Sequence, residues 1–298
     1  MAADRVTVGE WVLFLEALAL FWSPLTGIAS FWSQMQQGLA AGERVFALID
    51  REPSVRQVDH RPLSRTRTRG EIELRDVRFG YDAERPVLDG AGLRIGAGET
   101  VALVGPTGAG KSSLVRLITR AYEFQHGSVL FDGQDVRTLD LVEYRRCLGV
   151  VTQTPILFSG TVADNIGRGR PGAGRAEVEA AARAVADGDW PDRLPQGLDT
   201  PVDEGGRNLS PGQRRLVALA RVFLQEAPVL ILDEATAGID PLTEARILEG
   251  LDSLTTGRTT IIVSHRPPTL RKADRILVVR AGRVIEEAGP AALAEPPV

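Results

Sequence analysis

The sequence of 298 residues is long enough for one large domain or for one domain with an appendage. Its formal net charge of -4 argues against a general nucleic-acid-binding protein, which would be basic, so no nucleic acid is expected as a partner. The single cysteine, Cys147, excludes a disulfide framework and a cysteine-rich metal site. The three histidines lie too far apart in sequence to form a histidine metal motif.

A long apolar stretch near the N-terminus predicts the first helix. Between Trp11 and Trp32 the only charged residue is Glu16. As a helix this stretch would span roughly 33 Å, about the thickness of the bilayer hydrocarbon, and tryptophan is favoured at both membrane interfaces. The pattern predicts a transmembrane helix with a cytoplasmic extension over residues 1–50. A helix buried against a soluble core is the alternative.

The composition then changes, and residues 51–70 are predicted to form a linker. This segment contains Pro53, Pro62 and several arginines but few apolar residues. Positive charge beside a membrane helix suits the cytoplasmic face and anionic headgroups, which makes membrane lipids an expected partner. A merely solvated linker is an equally good interpretation.

The remaining residues, 71–298, predict an α/β nucleotide-binding domain. Unbroken apolar runs at residues 229–232, 260–263 and 276–279 are typical of parallel strands covered on both faces. Helical stripes separate these runs, and one further helix is predicted to open at Asp240, with Pro241 in its first turn. Alternation of the two patterns predicts the α/β class.

A glycine-rich loop lies between an apolar run that ends at Val104 and a helical pattern. Its residues are Gly105, Pro106, Thr107, Gly108, Ala109, Gly110, Lys111 and Ser112. Glycines allow successive N–H groups to turn inward and bind phosphate at a helix N-terminus, while Lys111 can reach the β- and γ-phosphates and Ser112 can ligate Mg²⁺. A chance glycine-rich turn is the alternative to this phosphate-binding loop.

Two further motifs carry chemistry. Asp233 and Glu234 follow a buried strand, where the first can hold Mg²⁺ through water and the second can polarise an attacking water, unless they merely cap the next turn. Ser210 can cap a helix that begins at Pro211, with Gly212 leaving the backbone N–H groups open to a phosphate. A well-capped helix without a ligand is the alternative.

In this order the motifs resemble those of ATP-binding cassette (ABC) proteins. The loop from Gly105 to Ser112, residues 209–213 and residues 232–234 are similar to the Walker A, signature and Walker B motifs. Further matches are Gln153 to the Q-loop, His265 to the switch histidine, Tyr81 to the aromatic that stacks on adenine, and residues 237–240 to the D-loop. Residues 6–50 resemble the last transmembrane helix of a bacterial half-size exporter of the multidrug or lipid type.

The resemblance implies a P-loop NTPase fold with a mixed, mainly parallel sheet and a helical subdomain, preceded by one long helix. It implies ATP contacts at Tyr81, residues 105–112, Ser113, Gln153, Ser210, Gly212, Gln213 and Asp233. It implies Mg²⁺ ligation by Ser112, Gln153 and Asp233. For catalysis, it implies Glu234 as general base, with His265 and Lys111 on the phosphates and Gln153 linking Mg²⁺ to the membrane domain.

The signature residues of the family serve the γ-phosphate bound to the partner subunit. The expected partners are therefore a second nucleotide-binding domain, in a head-to-tail dimer of one or two kinds of chain, and a transmembrane domain. Two departures from the family pattern stand out. Pro211 replaces a glycine, which we expect to be tolerated at a helix start, and Ala237-Gly238 replaces the usual Ser-Ala, which is expected to alter coupling between the two sites.

We therefore expect the ATPase portion of an exporter in the inner membrane, with its ATPase domain on the cytoplasmic side. About five membrane helices of a half-transporter are missing, as in a fragment, a late-start product or half of a split gene. The alternatives are an importer-type ATPase subunit, a truncated cassette without transport, and a non-enzymatic regulatory cassette. A DNA-repair ATPase would need a long coiled coil between Lys111 and Ser210, where the sequence has too few residues for one. A translation-factor ATPase would need two cassettes, and the sequence contains one. Both classes are therefore excluded.

Overall fold

The structure is a computed structural model that describes residues 7–64, 68–82, 85–234, 245, 247, 254–264 and 266–287. The chain divides into two compact units, Met1–Pro53 and Ser54–Val298. The division falls inside the predicted linker, and the domain boundaries predicted at residues 50 and 70 stay predictions. The helix predicted to open at Asp240 lies outside the described residues, as do the D-loop positions 237–240 and His265.

The first unit contains one helix, α1 (Val8–Ile49), as the apolar pattern predicted. Thr7 caps its N-terminus: the Thr7 N–H donates to Glu10 Oε2 at 2.7 Å, and the Glu10 N–H donates to Thr7 Oγ1 at 3.4 Å. The helix runs through Pro24, and no residue of it is buried in the structure. Its most apolar window has a mean hydropathy of 1.7, so by length and composition α1 can cross a membrane.

The second unit contains the strands and the shorter helices. The strands are β1 (Ile72–Phe79), β2 (Leu88–Ile95), β3 (Thr100–Val104), β4 (His126–Phe131), β5 (Gln134–Asp135), β6 (Leu148–Val151), β7 (Gly160–Thr161), β8 (Pro201–Val202), β9 (Val229–Asp233), β10 (Thr259–Val263), β11 (Arg275–Arg280) and β12 (Arg283–Glu287). The α-helices of this unit whose bounds fall within the described residues are α2 (Lys111–Ile118), α3 (Leu141–Arg146), α4 (Val162–Gly167), α5 (Arg175–Arg183), α6 (Pro211–Gln225) and α7 (Pro267–Leu270).

The main sheet has the order β12-β11-β3-β10-β9-β6. All neighbours from β11 to β6 are parallel, and β12 pairs antiparallel with β11 at the edge. Every residue of β10 is buried, which explains its unbroken apolar run: one face packs into the cluster around α2 and the other into the cluster around α4, α5 and α6. The predicted parallel strands are confirmed.

A second sheet, with the order β2-β1-β4-β5, is antiparallel and packs into the same core as α2. Alternation of apolar residues predicts a strand over residues 71–81, and the structure has β1 there, with a register shift between Leu74 and Val77. Asp76 lies at the shift with φ 45°, in the left-handed region. This bulge explains why the buried residues of β1 change faces along the strand.

The apolar pattern, with Leu114 and Ala121 on one face, predicts a helix that extends through residue 121, but α2 is shorter. The helix ends at Ile118, and Arg120 has φ 49°, which turns the chain out of the helical path. Ala121 is exposed as a result. The side chain of Arg120, by contrast, is 1% exposed.

Part of the predicted linker belongs to the second unit and is hydrogen-bonded within it. The N–H groups of Val58 and Arg61 donate to the carbonyls of Arg137 and Thr138 at 3.1 and 3.0 Å. Leu63 packs against the core cluster around α2. These contacts show that residues 58–63 are not a freely solvated chain.

Arg120 joins three parts of the second unit through its guanidinium. Nη1 donates to the Val136 carbonyl at 3.0 Å, and Nη2 donates at 3.0 Å both to the Arg56 carbonyl and to Glu123 Oε2. These bonds repay part of the desolvation cost of the buried cation, and removing the cation leaves buried acceptors unpaired.

We therefore expect Arg120→Leu to lower the free energy of unfolding of the second unit by about 3 kcal/mol. Denaturant unfolding of the full chain in detergent measures the loss. Arg146→Ala is the matched control, because the Arg146 side chain is 65% exposed and its removal should change the value by less than about 0.5 kcal/mol. Equal losses in the two variants would contradict the role given to Arg120.

Candidate functional site

A cleft of about 530 Å³ opens at the carboxyl ends of β3, β9 and β10. Parallel strands end at one edge of their sheet, and ligands of open α/β folds bind there. The lining residues are Tyr81, Val87, Thr107, Gly108, Gly110, Lys111, Ser112, Ser113, Gln153, Asp233, Glu234 and Val263. The structure thus brings together predicted residues that are far apart in sequence.

Two glycines of the loop are required by their surroundings. Gly105 has φ 143°, and a Cβ there would lie 2.1 Å from the Val279 carbonyl oxygen. Gly110 has φ 109°, and a Cβ there would lie 2.7 Å from Leu88 Cδ2. Gly108 also has positive φ, 81°, but its Cβ would meet no atom within 4 Å. The loop therefore lies against β11 only because residue 105 has no side chain.

Lys111 begins α2 and lies almost buried inside the loop. Its Nζ donates to the carbonyls of Gly105 and Pro106 at 2.7 and 2.9 Å. Burial lowers the pKa of the ammonium group, and the nearby carboxylates of Glu234 and Asp233 oppose this shift. The position fits a cation that exchanges loop carbonyls for phosphate oxygens when a nucleotide enters.

The two acids lie at the end of β9, as predicted. Burial and the charge of Glu234 raise the pKa of Asp233, against the effect of Arg116 and Lys111. Glu234 has φ 48°, and its N–H donates to the Val263 carbonyl at 2.9 Å. A left-handed glutamate is strained, and such strain is typical of functional sites.

Gln153 crosses the cleft to Glu234. Its Nε2 donates to Glu234 Oε2 at 2.7 Å, and its own carbonyl accepts from Arg215 Nη2 at 2.9 Å. Arg215 is buried, and burial lowers the pKa of its guanidinium, with Arg266 adding to the effect. No local sequence pattern indicates Arg215, since its contact is with a backbone carbonyl in another part of the chain.

The oxygen donors suit a hard cation bound together with phosphate. Ser112, Gln153 and Asp233 all line the cleft and offer a hydroxyl, an amide and a carboxylate. Within the described residues, no group of three or more His, Cys, Asp or Glu side chains can hold a metal alone. This combination fits Mg²⁺, which uses one or two carboxylates and completes its shell with substrate phosphates and water.

Tyr81 lies at the other side of the cleft and is 48% exposed, so it is not a core residue. Its hydroxyl is 3.0 Å from Ser113 Oγ and accepts from Arg116 Nη1 at 2.7 Å. Its ring packs edge-on against Phe79 and Tyr122, with centroids 4.9 and 5.0 Å apart. Sequence reasoning missed Arg116 and Tyr122, although Arg116 occupies an exposed position one turn after Ser112.

The signature residues do not reach this cleft. The Gln213 N–H donates to Ser210 Oγ at 3.1 Å, and the Ser210 N–H donates to Gln213 Oε1 at 2.8 Å, which caps α6. Pro211 occupies the first turn, where its missing N–H costs nothing, and Gly212 is buried. None of these residues lines the cleft, so one chain alone brings together only part of the predicted site.

Comparisons with known proteins agree on one family. An "ABC transporter" family model matches residues 88–237. An "ATP-dependent lipid A-core flippase" of Syntrophus aciditrophicus is 42% identical over 94% of this chain and 46% of its own length. An "ATM1-type heavy metal exporter" of Novosphingobium aromaticivorans is 40% identical over 95% and 46%.

A solved structure of a bacterial Atm1-family ABC exporter with ATP bound is similar to almost the whole chain. The TM-score is 0.80 and the sequence identity 39%, over 98% of this chain and 51% of that one. The chain thus spans about half the length of the relatives that it matches.

The glycine geometry gives a direct test of the phosphate-binding loop. Gly105→Ala should abolish binding of a fluorescent ATP analogue, because the new Cβ and the Val279 carbonyl are both backbone-bound and cannot separate without moving the loop. Gly108→Ala, the matched control, has open space and only conformational strain, so we expect at most about tenfold weaker binding. Equal affinities of the two variants would refute this account of the loop.

Proposed function

The chain belongs to the ABC transporter family and carries an exporter-type ATPase domain, and on this premise we propose that it hydrolyses Mg²⁺-ATP between two such domains to drive export across a membrane. We call residues 71–298, the predicted ATPase domain, the cassette. The convergence of the phosphate loop, the paired acids and Tyr81 on one cleft carries the proposal. The importer-type alternative has no support, since the relatives named above are a flippase and exporters.

In this proposal the cleft binds ATP along its length. The exposed face of Tyr81 stacks on adenine, and the loop from Gly105 to Ser112 cradles the phosphates. Lys111 leaves the loop carbonyls and pairs with the β- and γ-phosphates, which stabilises its charge better than two neutral acceptors do.

Ser112, Gln153 and Asp233 are the proposed ligands of Mg²⁺. The bound ion supplies positive charge that stabilises the phosphates during hydrolysis. Glu234 accepts the proton of the attacking water at its carboxylate, which lies at the same end of the cleft. Gln153 donates to this carboxylate and therefore orients it, while His265 stays a proposed contact of the γ-phosphate.

The partner of the cassette is a second cassette arranged head to tail. Ser210, Gly212 and Gln213 cap α6 away from the cleft of their own chain, with the helix N-terminus available to an anion. We propose that they contact the γ-phosphate held by the other cassette, so that each complete site contains residues from two chains.

Helix α1 supports the proposed membrane domain. Around a helix, Glu16, Ser23, Ser30 and Gln34 fall within about 40° of one another, whereas Trp11 lies about 140° from Glu16. A membrane helix turns its polar stripe toward protein and its tryptophans toward the lipid interface. We propose that α1 packs into a helix bundle in the inner membrane, with the cassette on the cytoplasmic side. We assign no transported substrate, because one relative is named for lipid A-core and another for heavy metals.

Glu234→Gln tests the proposed general base. The substitution keeps an oxygen for the bond from Gln153 but removes the base, so hydrolysis should fall at least about 100-fold while ATP binding remains. ATP should then accumulate a dimer, which light scattering detects. Glu226→Gln is the matched control, because Glu226 is also left-handed, with φ 51°, and pairs with Arg170 outside the cleft. Near-normal turnover in Glu234→Gln would remove this residue from the mechanism.

Mixing two inactive variants tests whether each site combines two chains. Lys111→Ala and Ser210→Arg should each be inactive alone, because both sites of either homodimer are damaged. In a mixed dimer one site carries both lesions and the other carries none. Phosphate release should return to about a quarter of the wild-type value with random pairing. Background activity in a mixture that is shown to contain mixed dimers would exclude the composite site.

A further inference from the structure

We propose that Arg116 is a positioning residue that holds Tyr81 in the plane required for a nucleobase, and that α2 thereby sets the distance between the base and phosphate parts of the cleft. This inference rests on the proposed stacking of Tyr81 on adenine. It goes beyond that proposal because it assigns a role to Arg116, which does not itself line the cleft.

The hydroxyl of Tyr81 is held by two residues of one helix. Ser113 and Arg116 lie three positions apart on α2 and therefore on the same side of it. Ser113 Oγ is 3.0 Å from the hydroxyl, and Arg116 Nη1 donates to it at 2.7 Å. The same helix begins with Lys111 and Ser112. One rigid element therefore carries both the proposed phosphate-binding residues and the two residues that hold Tyr81.

Arg116 holds Tyr81 by its hydroxyl, and Tyr81 remains 48% exposed in the lining of the cleft. The Arg116 guanidinium carbon lies over the Tyr81 ring, 5.6 Å from its centroid, while Nη1 donates to the hydroxyl, so one side chain contacts both the ring and its polar end. Phe79 and Tyr122 also pack nearly perpendicular to the ring, at interplanar angles of 78° and 88°. These contacts restrict rotation of a half-exposed side chain.

Tyr122 contacts both Arg116 and Tyr81. The guanidinium carbon is 5.8 Å from the Tyr122 centroid, within the range of a cation–π contact. Tyr122 is 40% exposed and, like Arg116, does not line the cleft. The guanidinium therefore lies against both tyrosines, whose rings also contact each other, and these contacts hold its donor at the Tyr81 hydroxyl before any nucleotide binds.

Fixing the ring in advance should increase affinity for a base without affecting the chemical step. A freely rotating tyrosine would lose conformational entropy when the base binds, which weakens binding. A tyrosine that is already fixed by its neighbours has lost this entropy on folding. The expected signature is therefore a change in the dissociation constant for nucleotide, with kcat unchanged.

The test compares the full chain in detergent with variants that break the contact from either side. Arg116→Ala removes the donor and Tyr81→Phe removes the acceptor while keeping the ring. Calorimetry with Mg²⁺ and a non-hydrolysable ATP analogue should show about fivefold weaker binding for each variant. The double variant should be no weaker than either single one, because both changes remove the same interaction.

Two matched controls accompany these variants. Tyr122→Phe removes a tyrosine hydroxyl that takes no part in the contact, and Arg146→Ala removes an exposed helical arginine elsewhere; both should bind like the wild type. Tripolyphosphate with Mg²⁺ serves as a probe without a base. Its affinity should be the same in the wild type, Arg116→Ala and Tyr81→Phe.

Each other outcome overturns a specific step. If Arg116→Ala weakens tripolyphosphate as much as the analogue, Arg116 acts on the phosphates by charge and the positioning role is wrong. If Tyr81→Phe and Arg116→Ala bind normally while Tyr81→Ala is weak, the inference fails and the adenine contact stands. If Tyr81→Ala also binds normally, the adenine contact itself fails.

Discussion

The site depends on one steric constraint, the close approach of the Gly105 backbone to the Val279 carbonyl on β11. This approach places the glycine-rich loop at the carboxyl edge of the main sheet, where β9 also delivers Asp233 and Glu234. From that position Lys111 lies between loop carbonyls and carboxylates, so a single cation offsets charge from both sides. The absence of a side chain at residue 105 therefore allows the glycine-rich loop, Lys111 and the two acids to meet in one cleft.

Three residues of the cleft are held in energetically unfavourable states: Asp233 and Lys111 by partial burial of their charges, and Glu234 by its backbone conformation. Burial raises the pKa of Asp233 and lowers that of Lys111. The charged form of each group is therefore less stable in the cleft than it would be in water. Glu234 is held in a left-handed conformation that a glutamate rarely adopts. These costs are borne by the fold as a whole, and a bound nucleotide and cation would relieve the electrostatic part.

Sequence reasoning predicted what short-range patterns encode. Strands β9 and β10 were predictable because both of their faces are covered, and the loop from Gly105 to Ser112 because its spacing has few other uses. The end of α2 and the bulge at Asp76 were missed, since a positive φ at an arginine or aspartate has no reliable local signal. Arg116, Arg120 and Arg215 were missed because their partners are distant in the chain, and two of the three bond backbone carbonyls that any residue type provides.

The bonds of Arg120 also impose an order on biosynthesis. The Arg56 carbonyl is made 64 residues before the guanidinium that will bind it, and Val136 follows Arg120 by a further 16. Until the chain has been synthesised through residue 138, the backbone groups of residues 56–61 lack the side chain and the carbonyls that they bind in the folded protein. Docking of residues 56–63 can therefore report that synthesis has passed the β4–β5 hairpin, and a pause before that point would leave the segment open to proteases and chaperones.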